Sequence, residues 1–162
     1  MGTLFLATPN TSHAITVVAT TTAVKTVLQI GVPSTTDIRV HGWGISCKGI
    51  AAADPAGDVC LIDTDVAATV TSLTPEEWES SNAATSLCVG GAALTGYNAS
   101  AEGSIGGSVI LDPQAVHPQG AYGVFFPEGR RPRVAPSRFL RIRTTYTVTV
   151  NVIPWILWEE PA

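Results

Sequence analysis

The side chains able to do chemistry in this sequence are three histidines, a group of aspartates, an acidic triplet, three cysteines and a cluster of arginines. His13, His41 and His117 are far apart, without the H-x-H or H-E-x-x-H spacing that sets two imidazoles on one metal. Asp54, Asp58, Asp63 and Asp65 lack the D-x-D-x-D-G spacing of a calcium loop and read as solvated turn residues. Glu76, Glu77 and Glu79 fall in one short segment rather than on two facing walls, so they do not form the opposed carboxylate pair of a glycosidase. The stretch Gly103-Ser104-Ile105-Gly106-Gly107 has no Lys-Ser/Thr after it and is no phosphate loop, and no serine lies in G-x-S-x-G. Cys47, Cys60 and Cys88 form no C-x-x-C pair and read as inert core thiols of a reducing compartment. The expectation is a non-enzymatic chain with no catalytic residue, no cofactor and no metal.

The arginines are the one strong charge feature. Arg130, Arg131, Arg133, Arg138, Arg141 and Arg143 are six of the nine basic residues and fall within fourteen positions. Guanidinium groups favour bidentate pairing with carboxylates and phosphates. Three readings stay open: pairing with the chain's own acids, an acidic partner protein, and nucleic acid. The last is disfavoured by the net charge of −4 and by the absence of interleaved aromatics.

These side chains must be positioned by strands. In residues 140–152, Leu140, Ile142, Thr144, Tyr146, Val148, Val150 and Val152 alternate with Arg141, Arg143, Thr145, Thr147, Thr149 and Asn151. That is one apolar and one polar face of a β-strand. The run is long for one strand and predicts a break near Thr144-Thr145. Beyond it, Ile153, Trp155 and Leu157 on one side and Ile156 and Trp158 on the other make both faces apolar. Pro154 cannot donate to a ladder and predicts an edge or a bulge here. An apolar edge must be covered, either by the same chain or by a neighbouring subunit; the second choice makes Ile153, Trp155, Ile156, Leu157 and Trp158 a subunit interface.

Taken in order, residues 1–13 read as an N-terminal arm with apolar anchors Leu4, Phe5 and Leu6, docked on a partner or capping its own domain. Residues 14–162 read as one domain. Strands are expected over 15–22, 23–30, 37–48, 58–64 and 67–73, with fragments at 87–89 and 104–110 and a strand at 119–127. In 37–48, Ile38 and Val40 share one parity and Trp43, Ile45 and Cys47 the other, which predicts a β-bulge at Gly42 and Gly44 that turns Trp43 inward. Thr74-Pro75-Glu76-Glu77 carries a capping box with proline in the first turn and predicts one short helix near residues 75–82. Many short strands separated by turns, with at most one helix, indicate an all-β fold: an antiparallel β-sandwich, jelly-roll-like.

Bulk composition agrees. The 162 residues suit one domain, 45% are hydrophobic and only 14% are charged, well below the usual ~25%. A surface so poor in charge suits packing against other molecules. No segment reaches the ~18 apolar residues of a membrane span. The first thirteen residues lack the basic region of a secretory signal, so the Asn98-Ala99-Ser100 sequon is not expected to be glycosylated.

Three segments, VKTVLQIGVPSTTDIRVHGWGISCKG, FFPEGRRPRVAPSRFLRIR and VNVIPWILWEE, together resemble small structural proteins of tailed bacteriophages and actinobacterial prophages. The likeness spans about residues 17–160 and departs from the family pattern at His41-Gly42-Trp43, where an acidic residue is expected. It implies a jelly-roll capsid decoration, or cement, protein: a homo-oligomer, expected to be a trimer, bound to the outer surface of the major capsid protein shell. The implied location is the virion, assembled in the bacterial host cytoplasm, with no membrane partner. On that reading Leu4, Phe5, Leu6, Arg130, Arg131 and Arg133 contact the capsid, and cyclic symmetry hides the C-terminal edge. The rival is a carbohydrate- or receptor-binding module on a phage tail or capsid, which needs exposed loop aromatics; Trp78 and Tyr97 are the candidates.

Overall fold

A computed structural model describes residues 2–49, 51–79, 84–91 and 93–162. Eight principal strands carry the fold: β1 (Thr3–Ala7), β2 (Lys25–Gly31), β3 (Ile38–Lys48), β4 (Gly57–Thr64), β5 (Ser108–Val116), β6 (Ala121–Phe125), β7 (Phe139–Thr145) and β8 (Asn151–Glu160). They form two antiparallel sheets, ordered β6-β3-β8-β1 and β5-β4-β7-β2. The pairs β1·β8, β2·β7, β3·β6 and β4·β5 are all antiparallel neighbours. One long hairpin folded over on itself gives that nesting, which is the jelly roll. The residues between are a single core that includes Phe5, Leu28, Ile30, Trp43, Ile45, Leu61, Leu140, Ile142, Tyr146, Ile156 and Trp158.

Short strands extend both sheets. Glu76–Glu77 adds outside β1, and Gly96–Ala101 followed by Thr69–Ser72 adds outside β2. Thr69–Ser72 falls inside the strand expected over 67–73, whereas Gly96–Ala101 had no counterpart in the sequence reading. The strand expected over 15–22 is only two dipeptides, Ala14–Ile15 and Val18–Ala19, and residues 87–89 form no strand.

Three expectations are corrected here. The N-terminal segment is no arm, because Thr3–Ala7 is paired along its length to residues 156–160 of β8. Its alternation explains why: Phe5 and Ala7 face the core, where Phe5 meets Trp158 with ring centroids 6.2 Å apart, while Leu4 and Leu6 face outward. The short helix near 75–82 is absent among the described residues. Glu76 and Glu77 instead pair with Leu6 and Phe5, and the Trp78 N–H donates to the Leu4 carbonyl at 2.8 Å. One capping box cannot offset helix nucleation when a free sheet edge offers ladder bonds at once; residues 80–83, where that helix was to end, lie outside the described residues.

The C-terminal strand, third, is not an edge. β8 lies between β3 and β1, so the chain itself covers it, and Ile156 and Trp158 are wholly buried in its own core. Proline is tolerated in this central strand through a local gap. Val18–Ala19 pairs with β8 only as far as Val152, β1 begins at Ile156, and the Pro154 carbonyl between them accepts from the Thr8 hydroxyl at 2.9 Å. Backbone N and O of one strand residue point the same way, so the missing N–H of Pro154 falls where no strand asks for it.

Two other readings hold. β7 ends at Thr145, at the expected break. The register of β3 against β8 shifts where Leu157 faces Gly42 and Trp158 faces Val40, leaving His41 as the extra residue of a bulge; Trp43 is fully buried.

Candidate interaction surface

The outer face of the first sheet is where the functional candidates gather. Alternation along β8 turns Val152, Ile156 and Trp158 inward and leaves Ile153, Trp155, Leu157 and Glu159 outward. On β3 the outward positions next to them are Gly42 and Gly44. Gly44 lies opposite Trp155, and Gly42 opposite both Leu157 on β8 and Phe125 on β6. The two rings close over this glycine floor, 5.4 Å apart at 36°. Leu6 and Thr8 from the β1 side and Trp78 complete an open apolar groove of about 220 Å³. Phe125 is 64% and Trp78 54% exposed.

Of the five residues expected at a subunit interface, only Ile153 and Trp155 remain partly exposed; Ile156, Leu157 and Trp158 are buried by the chain itself. Phe5 is likewise lost as a capsid contact, while Leu4 and Leu6 stay half-buried on the outer face. Tyr97 is no loop aromatic: it sits in Gly96–Ala101, pairs with Leu28 and packs on the core. Sequence reasoning missed Phe125 as a surface residue. The signal was there in Gly42 and Gly44, whose missing side chains leave room for rings from both neighbouring strands.

Next to the groove the face becomes charged. The Glu159 carboxylate accepts from the Gly2 N–H at 2.7 Å through Oε1, and its Oε2 lies 3.0 Å from His41 Nε2 and 3.9 Å from Arg131 Nη1. These partners, His41 foremost and Gly2 next, hold Glu159 below the ordinary carboxylate range. Arg131 Nε is buried without a hydrogen-bond partner among the described residues.

Most of the arginine cluster is engaged internally. Arg133 pairs with Asp37. Arg138 donates to Asp63 Oδ1 at 2.6 Å and to the Gly107 carbonyl at 2.8 Å. Arg141 is fully buried under the second sheet, where it donates to Thr26 Oγ1, the Val66 and Glu102 carbonyls and the Glu102 carboxylate. Burial lowers its pKa, and Glu102 opposes that shift. Arg143 lies 3.3 Å from the same Glu102 oxygen, though its Nε lacks hydrogen-bond geometry. Among the described residues Arg130 alone of the six forms no ion pair, and it is exposed.

Elsewhere the titratable groups are dispersed. His13 lies 3.0 Å from Glu76 at the surface. His117 Nδ1 accepts the Gln119 N–H at 3.1 Å, so its Nε2 carries the proton shared with the Ala52 carbonyl. No group of three metal-ligating side chains occurs among the described residues. All three cysteines are free thiols, with pKa values raised chiefly by burial. Among the described residues no helix is long and apolar enough to cross a membrane.

Comparison with protein-family models, curated proteins and solved structures finds no match to the chain.

Proposed function

We propose that this protein is a structural component of a phage virion, decorating the capsid as a homo-oligomer, a trimer, bound to the outer surface of the major capsid protein shell. The carrying observation is the outer face of the first sheet, which presents an aromatic groove at Phe125, Trp155 and Trp78 beside a charged area at Glu159, His41 and Arg131, with exposed Arg130 the preceding residue in the chain. Large exposed aromatics in one contiguous patch mark an interaction surface. The jelly-roll topology and the low charge content support the same reading, as does the resemblance of the three sequence segments.

The division of labour follows from chemistry. The apolar groove suits a dry, lasting contact between subunits. The basic loop carrying exposed Arg130 suits a reversible contact with acidic groups of the shell, multiplied by the symmetry of the oligomer. The test is co-sedimentation with empty shells in low and moderate salt. Arg130→Glu is expected to weaken binding several-fold, more so at low salt, with the oligomer unchanged. Equal binding by the variant removes this loop from the account, and no binding by the wild type removes the function.

A glycan-binding role would use the exposed Trp78 ring. The groove works against it, since beyond two indole N–H groups its polar lining is Thr8 alone, which already spends its hydroxyl on Pro154. Sugar sites need several polar groups placed to orient hydroxyls.

A further inference from the structure

The start of β3 gathers more guanidinium than carboxylate. Arg39 stands opposite Arg133 on one side and opposite Glu159 on the other. Like charges directly opposite each other across a ladder destabilise it. Asp37 pairs with Arg133 and not with Arg39. Glu159 is already spent: Oε1 accepts from the Gly2 N–H at 2.7 Å, and Oε2 lies 3.0 Å from His41 Nε2. Arg131 stands 3.9 Å from that second oxygen, outside hydrogen-bond distance. Arg39 and Arg131 therefore make no hydrogen bond among the described residues, and the Arg131 Nε is buried in that condition. A guanidinium partly withdrawn from water without a partner carries an uncompensated desolvation cost.

Arg131 separates two hollows of opposite character. One, of about 540 Å³, is walled by Glu79, Glu128, Glu159 and His41. The other, of about 280 Å³, is lined by Arg39, Gly129, Arg131 and Glu159, two guanidiniums against one committed carboxylate. The loop that carries Arg131 is fixed to β3 at both ends. The Phe126 N–H donates to the His41 carbonyl at 2.7 Å, and the Val40 N–H donates to the Pro132 carbonyl at 2.9 Å. Between them the Arg130 N–H closes a turn on the Pro127 carbonyl at 3.0 Å. Gly129 lies in that turn at φ 82°, and a Cβ added to it would meet nothing within 4 Å, so the rim of the hollow is open there. The sheet thus holds two unpaired guanidiniums at a fixed spacing, and little is lost in ordering them around a ligand.

We infer that the smaller hollow binds one oxyanion, a carboxylate or a phosphate group, between Arg39 and Arg131. Guanidinium forks match the paired oxygens of such groups. The ligand supplies the hydrogen bonds that Arg131 lacks and screens Arg39 from Arg133. The far side of Arg131 limits what fits: a polyanion such as nucleic acid would run on into Glu79 and Glu128, whereas a single anionic group does not reach them. The oxyanion comes either as a free ion or as an acidic group on a partner's surface. The site stands on these residues and not on the virion reading.

The full-length protein is titrated with inorganic phosphate, and separately with acetate, at pH 6.5 and constant ionic strength. Proton–nitrogen correlation spectra follow the backbone amides and the arginine Nε–H groups. The Arg131 Nε–H and the Gly129 amide are expected to shift together and to saturate. Arg39→Gln, an exposed change, should weaken binding by about tenfold or more, the effect of losing one charge-assisted hydrogen bond, with the rest of the spectrum unaltered. Arg130→Gln removes the same charge from an exposed residue that does not line the hollow, and should leave the affinity nearly unchanged. Saturation by acetate supports the site as one that a partner's carboxylate can fill; saturation by phosphate alone supports it as a phosphate site. Shifts that grow without saturating, or equal losses in Arg39→Gln and Arg130→Gln, mean diffuse charge attraction and overturn the site. Shell binding is read separately by co-sedimentation, so a protein that takes the anion but does not bind shells rejects the virion role alone.

Discussion

Trp155 lies over Gly44 so closely that a Cβ added to the glycine would stand 2.4 Å from its Nε1 and 2.6 Å from the Tyr122 carbonyl oxygen. The ring can turn away, but the carbonyl belongs to the β6 backbone and cannot retreat without breaking the β3–β6 ladder. Gly44→Ala should therefore destabilise the protein by about 1–3 kcal/mol, the range of an overpacked site. Trp155→Ala in the same background should recover only the ring's share. Urea midpoints of the single and double variants check this; full recovery in the double variant would show that the backbone contact costs nothing.

Arg141 gives a prediction about a charge rather than a shape. It is completely buried, and Glu102 supplies its only carboxylate partner among the described residues. Removing one partner of a buried pair costs about 3–5 kcal/mol because the other charge is stranded, whereas replacing the cation by an apolar side chain of similar size costs much less. Glu102→Ala should accordingly unfold at markedly lower denaturant than Arg141→Met. The reverse order would mean that water reaches the guanidinium and solvates it.

These features were unequally legible in the sequence. The all-β class and a bulge in β3, expected at Gly42 and Gly44 and found one residue earlier at His41, could be read from side-chain parity, because burial on one face writes itself into alternation. The C-terminal strand misled for a physical reason: proline and apolar character on both faces look the same in an edge strand and in a central one whose outer face carries a groove. Which holds depends on where β1 and Val18–Ala19 stop along β8, a tertiary fact. Thr74 to Glu77 carried a true helix-start signal that pairing with β1 overrode. The arginines looked like a surface patch because proximity in sequence hides that Arg141 points into one sheet's covered face while Arg130 points to solvent.

The thiols should be silent in the folded protein. Burial raises the pKa of Cys47, Cys60 and Cys88, and Glu160 raises Cys88 further. The thiolate is the reactive species, so a disulfide-exchange reagent at pH 7.5 should label the native chain at least tenfold more slowly than the unfolded chain, which should titrate three thiols. Rapid native labelling of one thiol would locate a local opening, with half-buried Cys60 the first place to look.

Glu159 makes the last prediction, one of pH. His41 on the β3 bulge, Gly2 at the start of β1 and Arg131 in the loop after β6 all converge on its carboxylate and lower its pKa from 4.5. A carboxylate ionised more easily in the folded than in the unfolded chain stabilises the fold in full above its unfolded value. That contribution fades as pH falls below about 4.5 toward the folded value, and is gone beneath it. Asp37, held down by Arg133, follows the same direction, so total acid sensitivity does not isolate Glu159. The difference between wild type and Glu159→Gln does. It should be largest at pH 6–7 and shrink as pH falls through 4, followed by urea midpoints at each pH. Amide exchange in residues 3–7 should rise in the variant, since the Gly2 clasp anchors β1 at its first residue. A stability difference that stays constant down to pH 3 would mean that the side chain acts by packing alone.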